Sequence, residues 1–328
     1  MIVIIPTTHG TMNTRTHRSA LRSVIAITLL ALVNGLRAQV LIGTDGGTTV
    51  LPNNTISWSI GEPIIGTGTV PGGQVTQGYQ QSSAVRVLVN VKAFLQGPYT
   101  SGAMSDGLRV SGLLPLNEPY TALGYTFVGG GGESTTQPII DLPGSNAIID
   151  WVVLELRDKN DNANVLHSRS ALLQADGDVV EMDGFSPVRF PLSADAYFIA
   201  LRHRNHLAVM TLNTVALTST SATINLTNGS TPTYGTDAQQ LIAGTHVMWS
   251  GNTDFDGLLK YVGANNDRDP ILVAIGGVVP TNTVNGYHPA DVNMDGVVKY
   301  VGADNDRDPI LQNVGGSVPT NVRAAQMP

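Results

Sequence analysis

Residues 252–272 read NTDFDGLLKYVGANNDRDPIL, and residues 291–311 read DVNMDGVVKYVGADNDRDPIL. The second stretch lies 39 residues after the first, and 14 of the 21 positions are identical. The likeness continues through GGVVPTN at 276–282 and GGSVPTN at 315–321. Two copies at a fixed spacing predict a duplicated unit whose halves pack on each other. Charged residues make up only 13% of the 328-residue chain, yet nine of its twenty aspartates fall in these two stretches, with no glutamate beside them. Carboxylates crowded in this way repel one another unless a cation sits between them.

The order of residues points to the cation. Asp291, Asn293 and Asp295 alternate and are followed by Gly296. This is D-x-[DN]-x-[DN]-G, the first half of an EF-hand-type loop. Calcium takes six to eight oxygens, which alternate side chains supply when the backbone curls around the ion. Glycine permits the turn, and the carbonyl of the next residue, Val297, is a further ligand. The first copy offers Asn252, Asp254, Asp256 and, after Gly257, the carbonyl of Leu258. A twelve-residue loop would close at Gly263 or Gly302, which carry no carboxylate. An inserted segment must therefore loop out, so that Asp267 or Asp269 closes the first site and Asp306 or Asp308 the second. Asp269, Pro270, an apolar run and then Gly276–Gly277 follow the order of a helix cap, first turn and stop. About two Ca2+ ions are expected, calcium being preferred to magnesium because the ligand set is large and flexible.

Upstream, the period is that of strands. Val87, Val89, Val91, Ala93 and Leu95 alternate with Arg86, Asn90 and Lys92, which predicts a strand with one buried face. In IIDWVVLELRD, Val152, Leu154 and Leu156 face one way and Trp151, Val153, Glu155 and Arg157 the other. Asp176–Gly177 and Arg204–Asn205 read as hairpin turns, and Gly129–Glu133 as a flexible loop. Shorter strands are expected near Ile56–Ile60 and Gln74–Tyr79. The predicted fold is mainly β: an antiparallel β-sandwich followed by a small C-terminal tandem calcium-loop and helix domain. The expected divisions are 1–38, a signal peptide; 39–84, a Gly/Thr-rich β segment; 85–235, the sandwich; and 236–328, the duplicated calcium-binding domain.

The signal reading rests on Arg15, His17, Arg18 and Arg22, then an apolar run from Val24 to Val33, then small residues ending at Ala38, with translation expected to start at Met12. The protein is therefore expected to be exported, either secreted or held at the cell surface. Four of the 18 Lys+Arg and none of the 25 Asp+Glu lie in residues 1–38, so the mature chain carries a charge of −11. That balance argues against nucleic acid and anionic membranes as partners, and no later segment is apolar enough to span a membrane. There is no cysteine, so a large core or bound metal must stabilise the fold.

At DVNMDG and NTDFDG the chain resembles dockerin-type duplicated calcium repeats. SWSIGEP, QGYQQ, VKAFLQGPY, GLLPLNEPYTALGY, DWVVLELRDKND, RSALLQADGDVV and RHRNHLAVMT resemble segments of exported bacterial adhesin-like surface proteins. The resemblance implies a non-catalytic, calcium-stabilised structural or adhesion module. Its partner would be a surface glycan or another extracellular protein. The alternatives are a dockerin-like docking module and an accessory domain of a glycan hydrolase system. No G-x-S-x-G, H-E-x-x-H, Walker loop or cysteine nucleophile occurs, so no enzyme is expected. Asp150 and Glu155 form the one carboxylate pair weighed for glycoside hydrolysis, and they read as a solvated strand face. His203 and His206 read as hairpin-flanking rings without a special role. Trp58, Trp151 and Trp249 read as core or edge residues.

Overall fold

The computed structural model describes the backbone of four N-terminal strands and, in full, residues 86–328. The expected signal peptide lies outside the described residues. The chain divides into two compact units, Met1–Ser83 and Ala84–Pro328. In the first, β1 (Asp45–Leu51) pairs antiparallel with β2 (Asn54–Ile60), and β3 (Gly66–Val70) with β4 (Gly73–Gln77). Both strands expected there are present, each as one arm of a hairpin.

The second unit is built on a nine-stranded sheet. Its strands are β5 (Val87–Lys92), β8 (Ile148–Asp158), β9 (Val165–Gln174), β10 (Asp178–Val180), β11 (Val188–Phe190), β12 (Asp195–His203), β13 (His206–Met210), β14 (Val215–Leu217) and β15 (Ala222–Asn225). A small hairpin, β6 (Tyr99–Thr100) with β7 (Ala103–Met104), follows β5. Every pairing in the sheet is antiparallel except β15 beside β5. Leu88 N–H donates to the carbonyl of Thr218, just past β14, at 2.9 Å. The path β5-β10-β9-β8-β12-β14 therefore curls back to where it began.

Alternation on β5 is as the sequence predicts: Val87, Val89, Val91, Ala93 and Leu95 are all buried. On β8 both faces are covered, and Ile148–Arg157 are buried without interruption. The segment between β7 and β8 supplies the second cover. Tyr120 Oη donates to the carbonyl of Trp151 at 2.7 Å, and Trp151 Nε1 donates to the carbonyl of Pro115 at 2.9 Å. The Asp176–Gly177 turn joins β9 to β10, with Gly177 at φ +93°. Gly129–Glu133 is packed rather than loose. A Cβ on Gly130 would lie 2.3 Å from the Ser168 carbonyl, and Glu133 accepts from Ser170 N–H. Glycine is needed there because a loop backbone is pressed against β9.

The remaining strands are β16 (Gln239–Ile242), β17 (Thr245–Met248), β18 (Leu258–Lys260), β19 (Thr283–Asn285), β20 (Val297–Lys299) and β21 (Val322–Ala324), with helices at Arg268–Ala274 and Arg307–Asn313. These residues share a core with the sheet: Val247, Met248 and Met294 pack in one cluster with the β5, β8 and β9 side chains. Residues 85–235 and 236–328 thus belong to one compact unit. Among the described residues no helix is long and apolar enough to cross a membrane.

The contact between sheet and repeats is closest at Gly97, where an added Cβ would sit 2.4 Å from the Val292 carbonyl. Gly97→Ala should destabilise the unit by about 1–3 kcal/mol through forced backbone movement. Gly107→Ala has 3.7 Å of clearance and should be near neutral. Urea unfolding of the two variants checks the difference.

Candidate metal centre

Each repeat is a loop, a short strand, an inserted turn and a seven-residue helix. The strand that follows each helix pairs with the other copy. β19, after the first helix, pairs with β20 of the second copy, and β21, after the second helix, pairs with β18 of the first. The helices cross in the same way, the first packing on β20 and the second on β18. Leu259, Ile271, Ile275, Val298, Ile310 and Val314 make the shared core. Neither copy can bury its apolar residues alone.

The two loops have the same backbone. Phe255 and Met294 sit at φ +62° and +60°, and Gly257 and Gly296 at +82° and +87°. In the second loop the Asp291 carboxylate accepts from Asp295 N–H at 3.1 Å and Gly296 N–H at 2.9 Å. Asn293 Oδ1 accepts from Asp295 N–H at 2.9 Å, and Asp295 Oδ1 from Val297 N–H at 2.8 Å. The first loop repeats this pattern. Asn252 Oδ1 accepts from Gly257 N–H, Asp254 Oδ1 from Asp256 N–H, and Asp256 Oδ1 from Leu258 N–H.

The carbonyls of Gly257 and Gly296 accept from the N–H groups of Ala325 and Gly286, each just past the end of the neighbouring strand. Peptide groups alternate sides along a strand. The carbonyls of Leu258 and Val297 therefore turn the other way, toward the loop, as their own N–H groups do.

Two candidates for closing each loop are separated by the geometry. Asp267 and Asp306 are fully buried and reach back across the loop. Asp267 accepts from Thr253 and Lys260 N–H at 2.8 and 2.7 Å. Asp306 accepts from Val292 and Lys299 N–H, each at 2.7 Å. Asp269 and Asp308 point elsewhere. They accept from Asn266 and Asn305 side chains, lie beside Arg268 and Arg307, and have side chains 59% and 48% exposed. Asp269 is not the helix cap: the helix begins at Arg268, and Asn266 Oδ1 accepts from Asp269 N–H. Asn305 does the same for Asp308.

Each loop thus carries Asp or Asn at three alternate positions and one buried carboxylate that reaches back to its backbone, while among the described residues no three carboxylate or histidine side chains converge as a metal-binding group. Burial, with neighbouring carboxylates adding to it, pushes Asp267 and Asp306 up to about 7 and Asp291 to about 6, and raises Asp254. A hard divalent cation is what an oxygen set of this kind accommodates.

The loops are also wedged into the sheet. Phe255 packs against Tyr120 and Tyr125, with ring centroids 6.0 and 6.4 Å apart. Met294, 2% exposed, enters the main core. Between the loops stands the β12–β13 turn. The Asn205 carbonyl accepts from Gly251 and Asn252 N–H at 2.9 and 3.1 Å, while Asn205 Nδ2 donates to the Asp291 carbonyl at 2.6 Å. One residue therefore holds the first position of both loops.

Behind Asn205 lies a polar cluster in which Asp150, His203, Arg204 and His206 are fully buried and Tyr287 is half-buried. Arg204 Nε donates to Asp150 Oδ2 at 2.9 Å, the Arg204 guanidinium stacks 4.4 Å over the Tyr287 ring, and Tyr287 Oη donates to Asp150 Oδ1 at 2.6 Å. Gly97 N–H donates to His206 Nε2 at 3.1 Å, so the His206 proton belongs on Nδ1, which faces Asn205 Oδ1 at 2.8 Å and His203 Nδ1 at 2.9 Å. His203 Nε2 then donates to Asp150 Oδ2 at 3.1 Å. Burial lowers both histidines and keeps them neutral. Burial pushes Asp150 upward, but Arg204, His203 and Tyr287 outweigh it and hold it at about 2.

These rings flank the hairpin as the sequence suggests, but they are structural partners at an internal junction rather than idle polar groups. Asp150 and Glu155 are likewise not a solvated face, because β8 is covered on both sides. Glu155 accepts from Tyr125 Oη and Arg157 at 2.6–2.8 Å and also from Arg202. Trp151 is core, and Trp249 lies under Arg323, 3.7 Å from its ring centroid. The side chain of Trp58 lies outside the described residues.

Sequence reasoning missed Asn205, Arg204, Phe255 and Met294. The available signals were a dense polar run at a hairpin tip and an apolar side chain at the fourth position of each acidic loop. No known family model, curated protein or solved structure matches the chain.

Asp150→Ala would leave Arg204 buried without its counter-charge. The expected cost is about 3–5 kcal/mol. Asp195→Ala, which breaks the exposed pair with Lys159, should leave stability nearly unchanged because solvent screens such a pair. Denaturant midpoints of the two variants check the contrast.

Proposed function

We propose that the chain is an exported, non-catalytic structural or adhesion module held together by calcium in its two repeat loops. The observation that carries this reading is the pair of buried carboxylates, Asp267 and Asp306, that return to close the two acidic loops. Bound calcium would draw on Asn252, Asp254, Asp256, the Leu258 carbonyl and Asp267 in one loop. In the other it would draw on Asp291, Asn293, Asp295, the Val297 carbonyl and Asp306. Its role would be to neutralise carboxylates that the fold has removed from water.

The packing of Phe255 and Met294 into the sheet favours an internal, fold-stabilising role over a freely docking repeat domain. A repeat fragment cut away at 236 would expose both side chains and lose Asn205. The expected export signal, the low share of charged residues and the surface-protein resemblance support the adhesion part of the reading.

Calorimetry should find two calcium ions per chain. A ligand that binds only the folded state at one hundred times its Kd stabilises by about 2.7 kcal/mol, so the melting temperature should rise clearly. Asp267→Asn and Asp306→Asn should each remove one ion and its share of that rise. Asp269→Asn and Asp308→Asn should leave both ions bound. Equal losses from all four variants, or no binding by the parent chain, would overturn the reading.

The acid response of the metal-free chain has a defined sign. Asp267, Asp291 and Asp306 have folded-state pKa values raised to about 6–7. Their contribution to stability is therefore full below the ordinary carboxylate range and is lost as pH rises through 6–7. In EDTA, the melting temperature should rise from pH 8 to pH 6, less so in the Asp306→Asn variant. Saturating calcium should flatten or reverse the slope, because protons then compete with the metal.

A further inference from the structure

A second feature lies on the sheet, on the β9–β11 surface. Of the 14 lysines and arginines in residues 86–328, eleven form ion pairs among the described residues. The exceptions are Arg86, Arg189 and Lys299. Two of these three line one cleft of about 500 Å³, together with Arg169, Met182 and Pro191. Two guanidiniums that form no ion pair among the described residues therefore face one cleft. Burial raises the Asp183 carboxyl pKa there, but its Ser186 hydrogen bonds and the nearby Arg189 together lower it.

The acids of the cleft are already engaged. Glu181 accepts Arg169 Nη1 and Nη2 at 2.9 and 3.0 Å, and its Oε1 also accepts Arg189 N–H at 2.9 Å. Asp183 accepts from Phe185 N–H, Ser186 N–H and Ser186 Oγ. Arg169 also donates to the Arg189 carbonyl at 2.6 Å. The backbone of residue 189 is thereby clamped on its outer side, which fixes where its exposed side chain begins.

We propose that this cleft binds an acidic glycan, with the Arg86 and Arg189 guanidiniums gripping a uronate carboxylate or a sulfate against the Met182–Pro191 wall. Guanidinium forks suit planar carboxylates and sulfates through paired hydrogen bonds. An extended acidic peptide fits less well. It would add as a strand beside β11, and both backbone groups of Arg189 on that edge are taken by Glu181 and Arg169. The site names a ligand class for the adhesion reading and does not depend on calcium.

The test is binding of the purified chain, at fixed free calcium, to trigalacturonate, a sulfated dextran, neutral dextran and poly-glutamate. Trigalacturonate or sulfated dextran should bind and neutral dextran should not. Loss of charge-assisted hydrogen bonds predicts at least about a tenfold weakening in Arg189→Gln, and more in the Arg86→Gln/Arg189→Gln double variant. Lys299→Gln should bind as the parent does. Both arginines are exposed, so unchanged melting temperatures would show that the variants are folded. Absence of binding, equal binding by the double variant, or preference for poly-glutamate would each overturn the proposal. Failure here with intact calcium binding would leave the metal reading standing. Loss of calcium binding with intact glycan binding would do the reverse.

Discussion

The structure of residues 86–328 turns on a buried charge pair. Arg204 and Asp150, both fully buried, meet at 2.9 Å at the tip of the β12–β13 hairpin. Two charges removed from water at that depth require close partners on every side. Tyr287, His203 and the carbonyl of His288 provide them for every polar atom but Arg204 Nη2, which is buried without a hydrogen-bond partner. The pair and its partners come from three places in the chain: the sheet, the hairpin tip and the linker between the repeats. The pair therefore fixes how the repeats sit on the sheet. The next residue, Asn205, extends that fixation to both acidic loops.

The repeats depend on each other by a second device. Because β19 and β21 cross over to pair with the opposite copy, neither half can form its strand ladder alone. Pairing between distant segments carries a loop-closure cost before any contact forms. That cost is met here by a shared apolar core and by apolar side chains at the loop tips. The acidic loops work in the opposite direction. Asp267, Asp291 and Asp306 are buried where each would rather be neutral, so the fold places a local electrostatic strain where a divalent cation would relieve it.

Two surfaces follow from this arrangement. One is internal, where the β12–β13 hairpin holds the repeats to the sheet through Asn205. The other is the external cleft at Arg86 and Arg189, whose guanidiniums form no ion pair among the described residues.

Much of this was written in local sequence. The alternating valines of β5, the Asp176–Gly177 and Arg204–Asn205 turns, and the repeated D/N-x-D/N-x-D-G phrase depend on periodicity and turn chemistry, which neighbouring residues set among themselves. The choice between Asp267 and Asp269, or between Asp306 and Asp308, was not local. The candidates are two residues apart at a helix start, and only the folded loop shows which one reaches back. Burial of Asp150, Glu155, His203 and His206 was likewise invisible, because polar residues on a strand read as solvated until a second layer covers them. The sequence by itself determined strand faces, turns and the acidic loops. Tertiary structure alone decided which polar groups lost water, because burial depends on segments that arrive from elsewhere in the chain.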